Sequence, residues 1–240
     1  HAYVDRYFPA SARAEVQAMV ANIKAAFARR IRAVTWMAPS TRDQAVQKAE
    51  GIVVGVGYPD TWRNYSSYNV TDNAYANEVN GAKVEYAHQL SKLGHPMDRS
   101  EWWMNPQTVN AVNLPVQNAL NFPAAILQPP FFDPHADAAY NYGAIGAVIG
   151  HEISHSFDNN GAQFDAQGTL RNWWTPADLA AFRQQGAALA RQYDAYEPLP
   201  GLHIKGDLTL GENLADLAGL QASLDAYHAS LNGHEAPVIN

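Results

Sequence analysis

In the run VIGHEISHSF, residues 148 to 157, two histidines stand four positions apart with a glutamate directly after the first. Residues at that spacing lie one above the other on a helix, so His151 and His155 can aim their imidazoles at one point while Glu152 projects about a quarter turn away. Placing imidazoles and a carboxylate in an apolar run is costly unless they meet a partner. Zinc is such a partner: a catalytic zinc typically takes three protein donors and leaves a fourth position for water. The third donor must come from elsewhere. Glu212 in the stretch GENLAD is the candidate, with Asp216 four residues on and so on the same face of a second helix. Metal-bound histidines usually donate their other ring nitrogen to a carboxylate, which makes Asp216 a partner for one of them and Asp158, one turn past His155, a weaker candidate. Plainer readings stand beside this one. A histidine pair satisfied by backbone carbonyls needs no metal, and Glu212 by itself is what a helix dipole favours in a first turn. The conjunction of the two stretches points to zinc.

Other chemistries find little support. His1, His88, His95, His135, His203, His228 and His234 sit beside loops or on polar faces and read as solvated or structural. There is no Gly-x-Ser-x-Gly turn for a nucleophile and no Gly-rich phosphate loop. With no cysteine, disulfides, thiolate metal sites and cysteine nucleophiles are excluded. A formal charge of −7 without a basic run argues against nucleic acid as a partner. No stretch reaches the roughly eighteen apolar residues of a membrane span, and the first residues form neither a basic leader nor an apolar signal core.

The elements that must position these residues are mostly helical. At 47% hydrophobic and only 16% charged, the composition suits a compact, Ala-rich helical body rather than a disordered chain. Between Ser11 and Val34, apolar residues at Val16, Val20, Ile23, Phe27 and Ile31 follow helical spacing. Ser40 and Asp43 suggest a capping box opening a second helix to about Val54, ended by Gly55, Gly57 and Pro59. A third helix is expected over 71–93, so the first hundred residues read as helical. Residues 108–123 then alternate around Leu114-Pro115 and predict a hairpin or edge strand. One helix is expected over 138–157, with Gly143, Gly146 and Gly150 for close packing. A short strand is expected near Gln163-Phe164, a helix from Thr175 to about Tyr196, and a last helix from near Leu208 carrying GENLAD.

Together, VNAVN, FPAAILQPPFF, NYGAIGAVIGHEISHSFDNNGAQFD, WWT and TLGENLADLAGL resemble the catalytic half of the neprilysin and endothelin-converting-enzyme family of zinc metallopeptidases. VTWM and GYPD extend the likeness over nearly the whole chain. The resemblance implies a mainly α fold with a small β element and a thermolysin-like, zincin-type core. Residues 1–100 would be a helical segment and 101–240 a zinc-binding catalytic subdomain truncated at its C-terminal side. It implies one zinc per chain on His151, His155 and Glu212, Glu152 as the activator of water, and Asp216 as the group orienting a zinc histidine. Asn110 and Ala111 would bind substrate backbone as an added strand, and Val148 would wall the pocket for a hydrophobic side chain just after the scissile bond. Val112-Asn113 depart from the family's aromatic pair, which leaves the binding detail there open. The implied activity is endopeptidase cleavage of oligopeptides before hydrophobic residues. The family's oxyanion histidine and substrate-gripping arginine lie further on, and no Arg follows Arg191. The expectation is therefore a piece of a longer enzyme whose remainder packs against it, or else a truncated, non-catalytic zinc- and peptide-binding module. A bacterial envelope or secreted location is the expected address.

Overall fold

The computed structural model describes residues 1–238; the limit Asn240 of the second expected segment lies outside them. In chain order the elements are α1 (Ala2–Tyr7), α2 (Ala10–Ala33), α3 (Pro39–Glu50), β1 (Val53–Gly57), α4 (Ala74–Ser91), β2 (Val112–Leu114) and β3 (Ala119–Pro123). They continue with α5 (Ala138–Gly143), α6 (Ile145–His155), a 3-10 turn at Gly161–Gln163, α7 (Pro176–Asp194) and α8 (Gly206–Ser230). The fold is mainly helical with one small sheet, as expected.

Helix α2 follows its sequence pattern: Val16, Val20, Ile23, Phe27 and Ile31 are all buried. That stripe lies under α6, whose Ile145, Ile149 and Ile153 are fully buried, and one apolar cluster runs from Val4 to Tyr227. Residues from both sides of position 100 therefore share one core. The sheet has the order β1-β3-β2, with β1 parallel to β3 and β2 antiparallel to it, leaving β2 as an edge strand.

Three local expectations are corrected. The second helix ends at Glu50, and Val53–Gly57 is a strand paired with β3. The β-branched run there suits a pleated, half-buried surface better than a helix. Nor does a capping box open α3: no side chain of its own caps it, and the Ala38 N–H donates instead to Asp178 Oδ1 at 3.0 Å. The single helix of 138–157 is two, because the Ile145 N–H donates to Phe131 O of the preceding loop and breaks the helical ladder at Ala144. Phe164 forms only an isolated bridge to Leu170, after the 3-10 turn, where a strand was expected. By contrast the hairpin β2–β3, and α7 with Thr175 accepting from the Asp178 N–H, follow the sequence signals.

Candidate metal centre and active-site cleft

Helices α6 and α8 approach so closely that only glycine fits at the crossing. A Cβ on Gly150 would stand 2.3 Å from Gly219 O, and one on Gly219 would stand 2.3 Å from His151 N. Gly146 rests on Ser223 Oγ in the same interface, whereas Gly143 meets nothing within 4 Å. Ser154, on the far side of α6, is buried and donates to Gly150 O.

The crossing carries Glu212 to the two histidines. Its Oε2 lies 3.2 Å from His151 Nε2 and 3.4 Å from His155 Nε2. The rings are nearly perpendicular, with centroids 4.4 Å apart. Each Nδ1 faces a different carboxylate: His151 Nδ1 is 2.8 Å from Asp216 Oδ1, and His155 Nδ1 is 2.7 Å from Asp158 Oδ2. Neutral imidazoles donating through Nδ1 to those carboxylates turn lone pairs at Nε2 toward a third carboxylate oxygen, so electron-rich atoms converge and a cation suits the space between them. Zinc bonds of about 2.0–2.1 Å in tetrahedral array separate donor atoms by roughly 3.3 Å. The two nitrogen–oxygen separations bracket that value and the three donor atoms all lie within 4.8 Å of one another, an arrangement and a donor chemistry that suit zinc.

The charges shift as this arrangement dictates. Burial raises the Glu152 carboxyl above its usual range, with the His155 and His151 charges partly offsetting it. Burial pulls the His155 imidazole down, but the hydrogen bond to Asp158 and the Glu152, Asp158 and Glu212 charges outweigh it, and the net shift is upward. For Asp158, burial is likewise outweighed, here by hydrogen bonds from His155 and from the Gly161 and Asn160 amides, leaving its carboxyl below the usual range.

These groups open onto a cleft of about 510 Å³ lined by Asn110, Ala111, Asn113, His151, Glu152, His155 and Glu212 among others. Asn110 is exposed and Ala111 buried, both directly preceding β2, and Asn110 Oδ1 accepts from the Ala111 N–H at 2.9 Å. Val148, one turn before His151, packs partly buried on the core and does not line the cleft. A larger cleft of about 670 Å³, lined by Tyr58, Trp62 and Trp102, contains none of the site residues, so size alone does not mark the site.

Two side chains with roles here were not anticipated. Asn113 donates through Nδ2 to Glu152 O at 2.7 Å and Ser156 Oγ at 2.8 Å, fastening the edge strand to α6. Its departure from an aromatic pair was visible, but the contact was not. Lys48 is buried beneath the segment that follows α6 and donates to three of its carbonyls. A lysine four residues from each of Gln44 and Ile52 gives no sign of this in one sequence.

A helix bearing HExxH, crossed by a second helix that delivers a carboxylate and flanked by an antiparallel edge strand, is a zincin-type core. Residues 110–240 match the sequence model of peptidase family M13, and residues 1–59 match that described for the same family's N-terminal part. The chain belongs to peptidase family M13. It is 35% identical to Neprilysin-3 of Drosophila melanogaster, over 99% of this chain and 31% of the relative. It is 40% identical to a putative zinc metalloproteinase of Streptococcus gordonii, over 93% of this chain and 40% of that protein. The solved zinc metalloprotease ZMP1 of Mycobacterium tuberculosis, in complex with inhibitor, superposes with a TM-score of 0.89 at 48% identity, over 99% of this chain and 37% of that one. The chain thus spans about a third of the length of the curated relatives it matches. Among the described residues no helix is long and apolar enough to cross a membrane.

Proposed function

We propose that this chain carries the catalytic centre of a zinc-dependent endopeptidase acting on oligopeptides. The observation that supports it most is the convergence of His151 Nε2, His155 Nε2 and Glu212 Oε2 within 4.8 Å of one another, with both Nδ1 atoms engaged by carboxylates. His151, His155 and Glu212 would hold one zinc, with Asp216 and Asp158 fixing the imidazoles. Bound zinc supplies a Lewis acid that activates water and polarises a peptide carbonyl. Glu152, a stronger base for its raised carboxyl, takes a proton from the attacking water and passes it to the departing amine nitrogen. Asn110 and Ala111, at the head of the free edge strand, pair with the substrate backbone and set its direction. Cleavage on the amino side of hydrophobic residues rests on the family resemblance, as do the division near residue 100 and the packing of further parts of a longer enzyme. The family's relatives are named as peptidases, and nothing in the site favours a binding-only module.

Metal analysis of the purified chain is expected to return about one zinc per chain. Glu152→Gln should keep that zinc and lower peptide hydrolysis by a factor on the order of 10² to 10⁴. Near-normal turnover in Glu152→Gln would remove its assigned role; a wild-type chain without affinity for zinc would remove the centre itself.

A further inference from the structure

Lys48 is 1% exposed. An ammonium group taken out of water is costly unless its protons are matched, and here they are. Nζ donates to Ser156 O at 2.5 Å, Gly161 O at 2.7 Å and Phe164 O at 2.6 Å. The Phe157 and Trp173 rings flank it at 5.3 and 5.8 Å. All three acceptors belong to the segment 156–164, which leaves α6 directly after His155 and has no regular structure beyond one 3-10 turn. Inside that segment lies Asp158. One of its oxygens meets His155 Nδ1, and the other accepts from the amides of Asn160 and Gly161. Gly161 thus ties the two groups together: its carbonyl receives Lys48 and its N–H supports Asp158. A Cβ on Gly161 would overlap His155 O at 1.8 Å, so the segment folds back tightly on the end of α6.

We propose that Lys48 is a positioning residue for the metal centre, holding the 156–164 segment so that Asp158 fixes His155 with its Nε2 directed at the other donors. Three protons on one nitrogen fasten three carbonyls that are separated in sequence, which no neutral side chain of similar size can do. A residue of α3, in the part of the chain before residue 59, thereby acts on a ligand of α6 without touching it. Burial lowers the Lys48 ammonium to about 8, with Asp158 and Asp165 pulling it back up. At neutral pH it is therefore mostly charged, as the three acceptors require.

The inference rests on the zinc reading above, and the test separates the two. Zinc affinity of the full chain is measured by competition with a chromophoric chelator, alongside thermal unfolding of the metal-free protein. The proteins compared are wild type, Lys48→Met, Lys48→Gln, Asp158→Asn and Val16→Ala, the last a cavity in α2 that lowers stability only. Groups that orient metal ligands are worth on the order of 10- to 100-fold in affinity. Lys48→Met, or Lys48→Gln if the first does not fold, should lose affinity in that range, while Val16→Ala with a similar fall in melting temperature keeps it. In the background of Asp158→Asn, the Lys48 substitution should add little, because both act through one histidine. Zinc affinity within twofold of wild type in a folded Lys48 variant would overturn the proposal, as would full additivity with Asp158→Asn. Failure of both Lys48 variants to fold would assign the residue to the core alone and overturn it too. A wild-type chain that does not bind zinc would overturn the reading of the site and this inference with it.

Discussion

At the scale of single residues, the site is built from shared protons and lone pairs, and each has a measurable consequence. Asp216 Oδ1 lies 2.8 Å from His151 Nδ1, the ring nitrogen turned away from the other donors. Asp216→Asn keeps the shape but exchanges an acceptor for a group that can present N–H to Nδ1, which favours the tautomer with its proton on Nε2, where a metal would bind. Zinc affinity should fall about 10- to 100-fold with no loss of helix, as chelator competition would show; unchanged affinity would leave Asp216 a mere surface acid. Asn113 makes a parallel case for substrate. Its amide ties the edge strand to Glu152 O, so Asn113→Ala should raise KM for peptides more than it lowers kcat, because the strand loosens while the base stays buried. An equal fall in both would mean that the strand is held by other contacts. The pairing of His151 with His155 was legible because four-residue spacing is a property of helices. The sequence did not disclose Asn113 or Lys48, because their acceptors lie 39 to 116 positions away.

At the scale of elements, helix against helix decides the donor geometry. Gly219 sits against the backbone at His151, so Gly219→Ala must push α8 outward and carry Glu212 away from the imidazoles. Overpacking of this kind costs about 1–3 kcal/mol, and the same displacement should weaken zinc binding; a variant with wild-type affinity would show that Glu212 follows the metal rather than the helix. The junction of α3 and α7 has a pH signature. Asp178 is buried and accepts from Thr41 Oγ1 at 2.6 Å and from the Ala38 N–H. The Thr41 hydroxyl foremost, then Thr175 and the Ala38 amide, hold its carboxyl below the usual 3.8 despite the opposing effect of burial. A depressed carboxylate contributes its full stability above the unfolded value and loses it as pH falls through the lower folded value. Asp178→Asn should therefore cost about 1–3 kcal/mol at neutral pH, with the difference from wild type shrinking below about pH 4. A deficit that persists unchanged in acid would mean lost packing rather than lost charge. The stripe of α2 and the cap of α7 were legible from the sequence, since both are local signals. The strand β1 was not, because its partner β3 lies some 66 positions later (Val53 to Ala119), and the break at Ala144 depends on a carbonyl from a different loop.

At the scale of the whole molecule, the question is how much of the fold depends on the metal. The three candidate donors come from α6 and α8 alone, and those helices already meet through Gly150 against Gly219 and Gly146 against Ser223, whose hydroxyl also ties α8 to α5 by donating to Tyr142 O at 2.6 Å. The apolar cluster beneath them draws on α2, α3, β1 and β3 as well. Small zinc domains that have no such cluster unfold without metal; this chain should not. Zinc at a thousand times its dissociation constant adds about 4 kcal/mol to stability, and for a chain of this size each kcal/mol moves the melting temperature by about 2–4 °C. Stripping the metal with a chelator should thus lower the transition by roughly 8–16 °C and leave the helical circular dichroism intact at room temperature. Adding zinc back should restore the transition in wild type but much less in Glu212→Gln, where one charged donor has become a neutral amide. An unchanged melting temperature on chelation would mean that no metal is held, and loss of helix at room temperature would mean that the α6–α8 crossing cannot form without it.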